Sequence, residues 1–286
     1  MHVVASSAQL SWNLVDDVRQ MFAFRFMVNA YRAGTIAAVL AAVFGWFMVL
    51  RRQTFAGHTL AMVGFPGAAG AVLVGASVQY GFFVFCIVAA LALAAIPSAS
   101  GIGYGEETAL IGTLQAFALA LGYLFHSLHG GSLDGVTSLL FGTLFGVTTA
   151  QVVTLLVVSS AAMVALAVGA RPLLFASIDA DVAEASGVPT RGLAIGFLVL
   201  LGVAAAAVSQ VTGSLLVFAL LVLPPATAQR LSPRPRVSLV TSVAIGVAVT
   251  WIGLGAAFFS PYPSGFWITT SAFVAYLAAV LVARLR

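Results

Sequence analysis

His58, Met62 and Pro66 are the residues whose types and spacing could bind a metal ion. They follow one another at intervals of four residues in an apolar stretch, so a helix would place them on one face. Imidazole nitrogen and thioether sulfur are both transition-metal ligands. Pro66 also lacks the N–H that would bond the carbonyl of Met62, and in an apolar medium a freed carbonyl needs another donor or a cation. The structural alternative is a buried histidine and a methionine filler beside a proline kink.

A second set of candidate ligands is His126, His129 and Asp134. Two histidines three residues apart, with a carboxylate nearby, could catch a divalent cation where it enters. The glycines among them favour the alternative, an ordinary polar turn.

The segment 171–191 is the polar connection most suited to a partner protein. Asp179 or Asp181 could cap a short helix that contains Glu184, and Gly187 suits the position just after its end. A short capped helix between two apolar segments could dock a cytoplasmic partner. It could equally be a solvated connection.

Pro224 and Pro225 lie near the end of the run GSLLVFALLVLPPATAQRL and predict a kinked helix. Such a kink can form a gate in a transporter or can be purely structural. The sequence contains no HExxH motif and no Ser/His/Asp set that would indicate an enzyme.

Composition places all these residues in a membrane protein. Of 286 residues, 62% are hydrophobic and 7% are charged, whereas soluble proteins contain about 25% charged residues. Long apolar runs indicate helices rather than barrel strands. The net charge of +4 comes from scattered arginines and does not indicate nucleic-acid binding. There is no lysine, which excludes a GxxxxGK[ST] phosphate loop, so any ATP used in transport must be hydrolysed by another polypeptide.

The pattern predicts an all-α, polytopic bundle of nine spans, with residues 1–28 as an amphipathic lead-in and 29–286 as the transmembrane domain. The short apolar piece 136–146 suits a re-entrant or interfacial segment. Arginines that follow alternate spans place those connections in the cytoplasm, but three arginines before residue 33 do not fit, so eight or ten spans are the alternatives. The predicted spans lie near 29–50, 57–77, 80–97, 107–126, 146–169, 192–211, 213–231, 237–259 and 265–283.

Six motifs in this order resemble the membrane permease of bacterial zinc/manganese-type (metal-ion) ABC transporters, over roughly residues 27–284. The motifs are GWFMVLRR (45–52), GHTLAMVGFPG (57–67), EETALIG (106–112), LLFG (139–142), DVAEASG (181–187) and the proline-containing run 213–231. The resemblance implies a type II importer-like fold in the bacterial cell membrane. It also implies a homodimer, two cytoplasmic ATP-binding subunits docked on 171–191, and an extracytoplasmic metal-binding protein.

The sequence departs from this family at the residues of greatest chemical interest. The family motif has an aspartate and a histidine, the metal contacts of the path, where this chain has His58 and Met62. An imidazole and a thioether form a softer, uncharged pair, and two copies across a dimer axis would give two nitrogens and two sulfurs. We therefore expect a cargo among Zn, Mn, Fe and Cu, shifted away from Mn²⁺, with no permanently bound cofactor. The alternatives are a metal chelate as cargo, or a stand-alone secondary transporter or channel.

Overall fold

The computed structural model describes residues 13–96, 104–130, 142 and 144–285. In these ranges every regular element is helical. The α-helices are α1 (Leu14–Phe22), α2 (Arg25–Leu50), α3 (Thr54–Leu73), α4 (Val78–Ala95), α5 (Tyr104–Leu128), α6 (Thr149–Ile178), α7 (Ala180–Ala185), α8 (Thr190–Thr212), α9 (Ser214–Leu231), α10 (Pro235–Phe258) and α11 (Ser264–Arg284).

Nine of the helices in the described ranges are long and apolar enough to cross a bilayer. They are all the helices above except α1 and α7, and each overlaps one of the nine predicted spans. The prediction of an all-α, multi-pass membrane protein is therefore confirmed. The piece 136–146 lies mostly outside the described residues, and its last three residues form a single 3-10 turn (Leu144–Gly146).

The fifth predicted span is too short at its C-terminal end. Helix α6 continues past Pro172 to Ile178, so the first eight residues of the predicted 171–191 connection are helical. A proline removes one helical hydrogen bond but does not end a helix when the residues after it still pack. Here Leu173 is buried, and its carbonyl also accepts the hydroxyl of Ser177 at 2.5 Å.

Helix α1 begins the described part of the chain as a short amphipathic helix. Asp17 and Met21 are buried, whereas Val15, Val18 and Phe22 form an exposed apolar row at helical spacing. Such a row suits a helix that lies on a membrane surface. The first span then begins at Arg25 instead of near 29, because the helix extends beyond the continuous apolar run.

The chain divides into two compact units. The first unit contains residues 1–46, 143–157 and 219–286. In it α10 packs against α11, and polar side chains join α10 to α2: Trp46 Nε1 donates to Ser238 Oγ at 3.0 Å, and Ser242 Oγ donates to the carbonyl of Ala42 at 3.2 Å. These buried hydrogen bonds satisfy groups that lipid could not.

The second unit contains residues 47–142 and 158–218, and α3 is its central helix. Helix α3 packs against α4, α5 and α8, and most of its residues are buried. Small residues permit this packing: a Cβ added at Gly67 or Gly81 would overlap the carbonyl of the other glycine. The second unit therefore holds the predicted metal-binding face of α3 in its interior.

Candidate metal site and its surroundings

Helix α3 runs without interruption through His58, Met62 and Pro66. The predicted common face is therefore present, since residues four apart on a continuous helix lie one above the other. Met62 and Pro66 are buried, and His58 is half-buried one turn after the start of the helix. Pro66 lies inside the helix, so its missing N–H leaves the carbonyl of Met62 without its usual helical partner.

The ring of His58 packs against an aromatic side chain and leaves one nitrogen unpaired. Its centroid lies 4.3 Å from that of Phe218 at an interplanar angle of 60°, an edge-on contact. Nδ1 is buried and has no hydrogen-bond partner among the residues that the structure describes. Leaving such a group unpaired costs about 1–3 kcal/mol, so an unpaired nitrogen in a native fold calls for an explanation. A ligand that binds this nitrogen is one such explanation.

Three buried hydroxyls in the same unit also lack a partner in the described structure, and the sequence analysis missed them. They are the Oγ atoms of Ser159, Ser209 and Ser214. Two of them flank a break between α8 and α9, where Gly213 alone, at φ 78°, separates the helices. Ser214 lies one turn before Phe218 on α9, and the Cβ of Ser209 lies 3.7 Å from a Cβ added at Gly64 of α3. The sequence signal is the small polar run Thr-Gly-Ser inside an otherwise apolar stretch.

The helix break is packed tightly from one side. Gly142, the last residue of the LLFG motif, has φ 68°, and a Cβ at this position would overlap the backbone of Thr212 and Gly213. Only glycine combines that backbone angle with such a close approach. The LLFG motif thus ends at a glycine that contacts the α8–α9 break.

The Pro224–Pro225 pair lies inside a continuous helix α9, and both residues are buried. Pro225 removes the helical partner of the Leu221 carbonyl. A Cβ added at Gly45 of α2 would overlap that carbonyl oxygen, so the glycine lets α2 pack directly on it. This contact supports the structural interpretation of the kink, and the gate stays a prediction.

The predicted entry site is not assembled in the described residues. His126 is half-buried near the end of α5, and His129 is exposed just after the helix. Asp134 lies outside the described residues. Among those that the structure describes, no group of three or more His, Cys, Asp or Glu side chains could hold a metal ion.

The predicted short helix is present as α7. Asp179, not Asp181, is its N-cap: its carboxylate accepts the N–H of Val182 at 3.0 Å. Gly187 has φ 81°, as expected for the residue that reverses the chain after a helix. Asp181 and Glu184 are exposed, and Ala183 is fully buried and anchors the helix.

Comparisons with known proteins give relatives along almost the whole chain. The manganese transport system membrane protein of Halalkalibacterium halodurans is 27% identical over 243 residues, which cover 85% of this chain and 82% of that protein. The chelated iron transport system membrane protein of Yersinia pestis is 28% identical over 264 residues, 92% of this chain and 88% of that protein.

A solved structure has the same fold. A chain of PsaBC from Streptococcus pneumoniae, in complex with Fab, superposes with a TM-score of 0.82 at 24% identity and covers 93% of this chain and 95% of that one. The sequence profile of the ABC 3 transport family matches residues 23–283. These residues include all the motifs on which the resemblance was based, and the protein therefore belongs to the ABC 3 transport family.

Proposed function

We propose that this protein is the permease subunit of an ABC importer that moves a transition-metal ion across the bacterial cell membrane. The observation that supports it most is the family match together with relatives named for manganese and chelated iron transport. The lysine-free sequence fits a permease whose ATP is hydrolysed by separate cytoplasmic subunits. Transport then proceeds by alternating access, and the metal is cargo rather than a resident cofactor.

The metal path runs along the His58 face of α3. The unpaired Nδ1 of His58, the Met62 thioether one turn away and the Met62 carbonyl freed by Pro66 supply nitrogen, sulfur and oxygen donors on one helix. None of these groups carries a negative charge, and a metal ion would bind the neutral form of the imidazole. Hard cations such as Mn²⁺ favour carboxylates, whereas imidazole and thioether favour Zn²⁺ and copper. In a homodimer the pair would be present twice.

The partner ATPase binds the surface formed by α7. Asp179 fixes the start of the helix, Ala183 anchors it, and Asp181, Val182 and Glu184 remain exposed for contact. This face lies on the cytoplasmic side if the arginine-rich connections are cytoplasmic. An extracytoplasmic binding protein delivers the metal to the opposite side, where His126, His129 and Asp134 are candidate contacts.

The test is uptake of Mn²⁺, Fe²⁺, Zn²⁺ and Cu⁺ by proteoliposomes that contain the permease and its ATP-binding subunits, with the metal-binding protein added on the side from which it delivers the metal. We expect ATP-dependent uptake with Zn²⁺ or Cu⁺ ahead of Mn²⁺. The double variant His58→Asp/Met62→His, which restores the family pair, should move the preference towards Mn²⁺. Met163→His makes the same methionine-to-histidine change on a different helix, α6, and should leave the preference unchanged.

Other outcomes of this experiment would indicate one of the two alternative functions: a secondary transporter or channel, or a permease for a metal chelate. Uptake without ATP would indicate a secondary transporter or channel. A second candidate cargo is a metal chelate, favoured by the chelated-iron relative. Uptake only when a chelator accompanies the metal, unaffected by His58→Ala or Met62→Ala, would establish the chelate and refute direct coordination.

A further inference from the structure

Arg51 joins three parts of the second unit through one guanidinium group. Its Nη1 donates to Ser177 Oγ at 3.2 Å and its Nε donates to Gln53 Oε1 at 3.3 Å. The guanidinium carbon lies 5.6 Å from the ring centroid of Phe197 on α8. These contacts are all to neutral groups, and partial burial lowers the pKa of the guanidinium, which nevertheless stays protonated.

The backbone of the α2–α3 connection fixes the position of Arg51. The N–H of Arg52 bonds the carbonyl of Val49 at 3.1 Å, and the N–H of Gln53 bonds that of Met48 at 3.0 Å. With Arg52 at φ 58°, this is the Schellman arrangement that ends α2 and turns the chain into α3. Arg51 is half-buried by this turn and Arg52 is exposed.

The two hydrogen-bond partners of Arg51 lie at the ends of two different helices: Gln53 is next to the start of α3, and Ser177 is near the end of α6. Gln53 directly precedes Thr54, the first residue of α3, and makes no side-chain cap to that helix. Its side-chain carbonyl is bonded to Arg51 instead. Ser177 is the penultimate residue of α6, two residues before the Asp179 cap of α7, and its own hydroxyl hydrogen bonds the Leu173 carbonyl. Hydrogen bonds from a charged donor are roughly twice as strong as neutral ones.

From this arrangement we propose that Arg51 is the positioning residue that transmits movement of α7 to the metal-binding turn of α3. This inference rests on the proposed function, in which a partner ATPase pushes on α7. A displacement of α7 moves Ser177, and the Arg51 bridge passes the movement to Gln53 and the start of α3. His58 follows one turn later, so the movement reaches the first metal ligand through a short, hydrogen-bonded path.

The experiment measures metal uptake and ATP hydrolysis in the same proteoliposomes, with Zn²⁺ as the probe. Arg51→Met keeps the apolar stem but removes both donors. We expect it to lower the number of ions moved per ATP at least five-fold, while ATP hydrolysis changes less than two-fold. Ser177→Ala removes only the bridge to α6, and should lower the same ratio two- to three-fold. Arg52→Met, the same change at the exposed neighbour, should leave it unchanged.

Two further variants separate transmission from simple stabilisation. Arg51→Lys keeps the charge but cannot donate to both partners in one plane, so we expect it to restore only part of the ratio. In the double variant Arg51→Met/Ser177→Ala, the loss should equal that of Arg51→Met alone, because both changes break one bridge.

Several results would overturn the proposal. One is an unchanged ratio in both Arg51→Met and Ser177→Ala; another is a parallel loss of uptake and hydrolysis, which indicates damage to the fold. Effects of the two changes that multiply in the double variant would also overturn it. If the wild-type complex takes up no metal with ATP, the proposed function itself fails and the assignment of Arg51 falls with it. If Arg51→Met does not fold, the Ser177→Ala ratio decides alone.

Discussion

Helices α3 and α9 both contain prolines that leave backbone carbonyls without their helical hydrogen bonds. The surroundings of these carbonyls differ between the two helices. In α9 the carbonyl of Leu221 is covered by Gly45 of α2, which has no side chain to keep the helices apart. In α3 the proline lies one turn after Met62 and two turns after His58, whose Nδ1 is buried and finds no partner in the described part of the chain. In α9, helix packing therefore covers the freed carbonyl. In α3, donor atoms remain on one helix face.

The comparison teaches that a proline in an apolar helix does not by itself reveal a functional site. A kink can be stabilised by a close helix contact, and small residues at that contact are the usual means in membrane proteins. A buried nitrogen without a partner is a different observation, since its cost must be offset or its partner must arrive from outside. We therefore expect changes near Gly45 to affect stability and changes near His58 to affect transport.

The largest expected effect is that of Gly45→Ala on stability. The new methyl group would overlap the Leu221 carbonyl, and overpacking of this kind costs about 3 kcal/mol because α2 and α9 must separate. The thermal unfolding midpoint of the purified protein in detergent should fall by at least about 5 °C. Gly196→Ala on α8 is the matched control, since a Cβ there meets nothing within 4 Å and should stabilise the helix slightly. Equal midpoints for the two variants would contradict this account of α9.

His58→Phe should separate stability from transport in α3. The phenyl ring keeps the shape that packs on Phe218 but removes the unpaired Nδ1, so the unfolding midpoint should stay the same or rise. Metal uptake should fall at least about ten-fold, since the loss of even an outer-shell partner of a metal ligand typically costs about 10–100-fold in metal affinity or activity. The check is to measure the midpoint and the uptake rate on the same preparation. A lower midpoint with normal uptake would make His58 a core histidine.

Much of the fold could be predicted from the sequence because membrane spans must be long, apolar and helical. All nine predicted spans overlap a helix, and Gly187 ends α7 as expected. The error in the fifth span comes from local packing, which periodicity does not report: helix α6 continues beyond Pro172 to Ile178. The sequence left two candidates for the cap of α7, and the structure has Asp179 in that position.

The candidate site could be predicted only in part. The spacing of His58, Met62 and Pro66 indicated a shared helix face, which the continuous helix α3 confirms. Their role in metal binding stays a prediction. The unpaired serine hydroxyls could not be found in advance, because whether a hydroxyl finds a partner depends on which helices pack around it. The bridge from Arg51 to Ser177 joins residues 126 positions apart, and no local pattern indicates it.

The smallest expected effect compares the two prolines directly. Pro66→Ala supplies an N–H that bonds the Met62 carbonyl, so that oxygen no longer faces a cation as a free donor. The net value of one hydrogen bond is about 1 kcal/mol, so we expect uptake to fall about five-fold. Pro225→Ala supplies the same group to Leu221, whose carbonyl is already covered by Gly45, and uptake should not change. Comparable losses in both variants would show that α9, too, takes part in transport, as the gate interpretation of Pro224 and Pro225 predicts. A loss confined to Pro66→Ala would favour α3 over α9 as the side of the path, because of these two freed carbonyls it is that of Met62 that belongs to a helix face with an unpaired imidazole nitrogen.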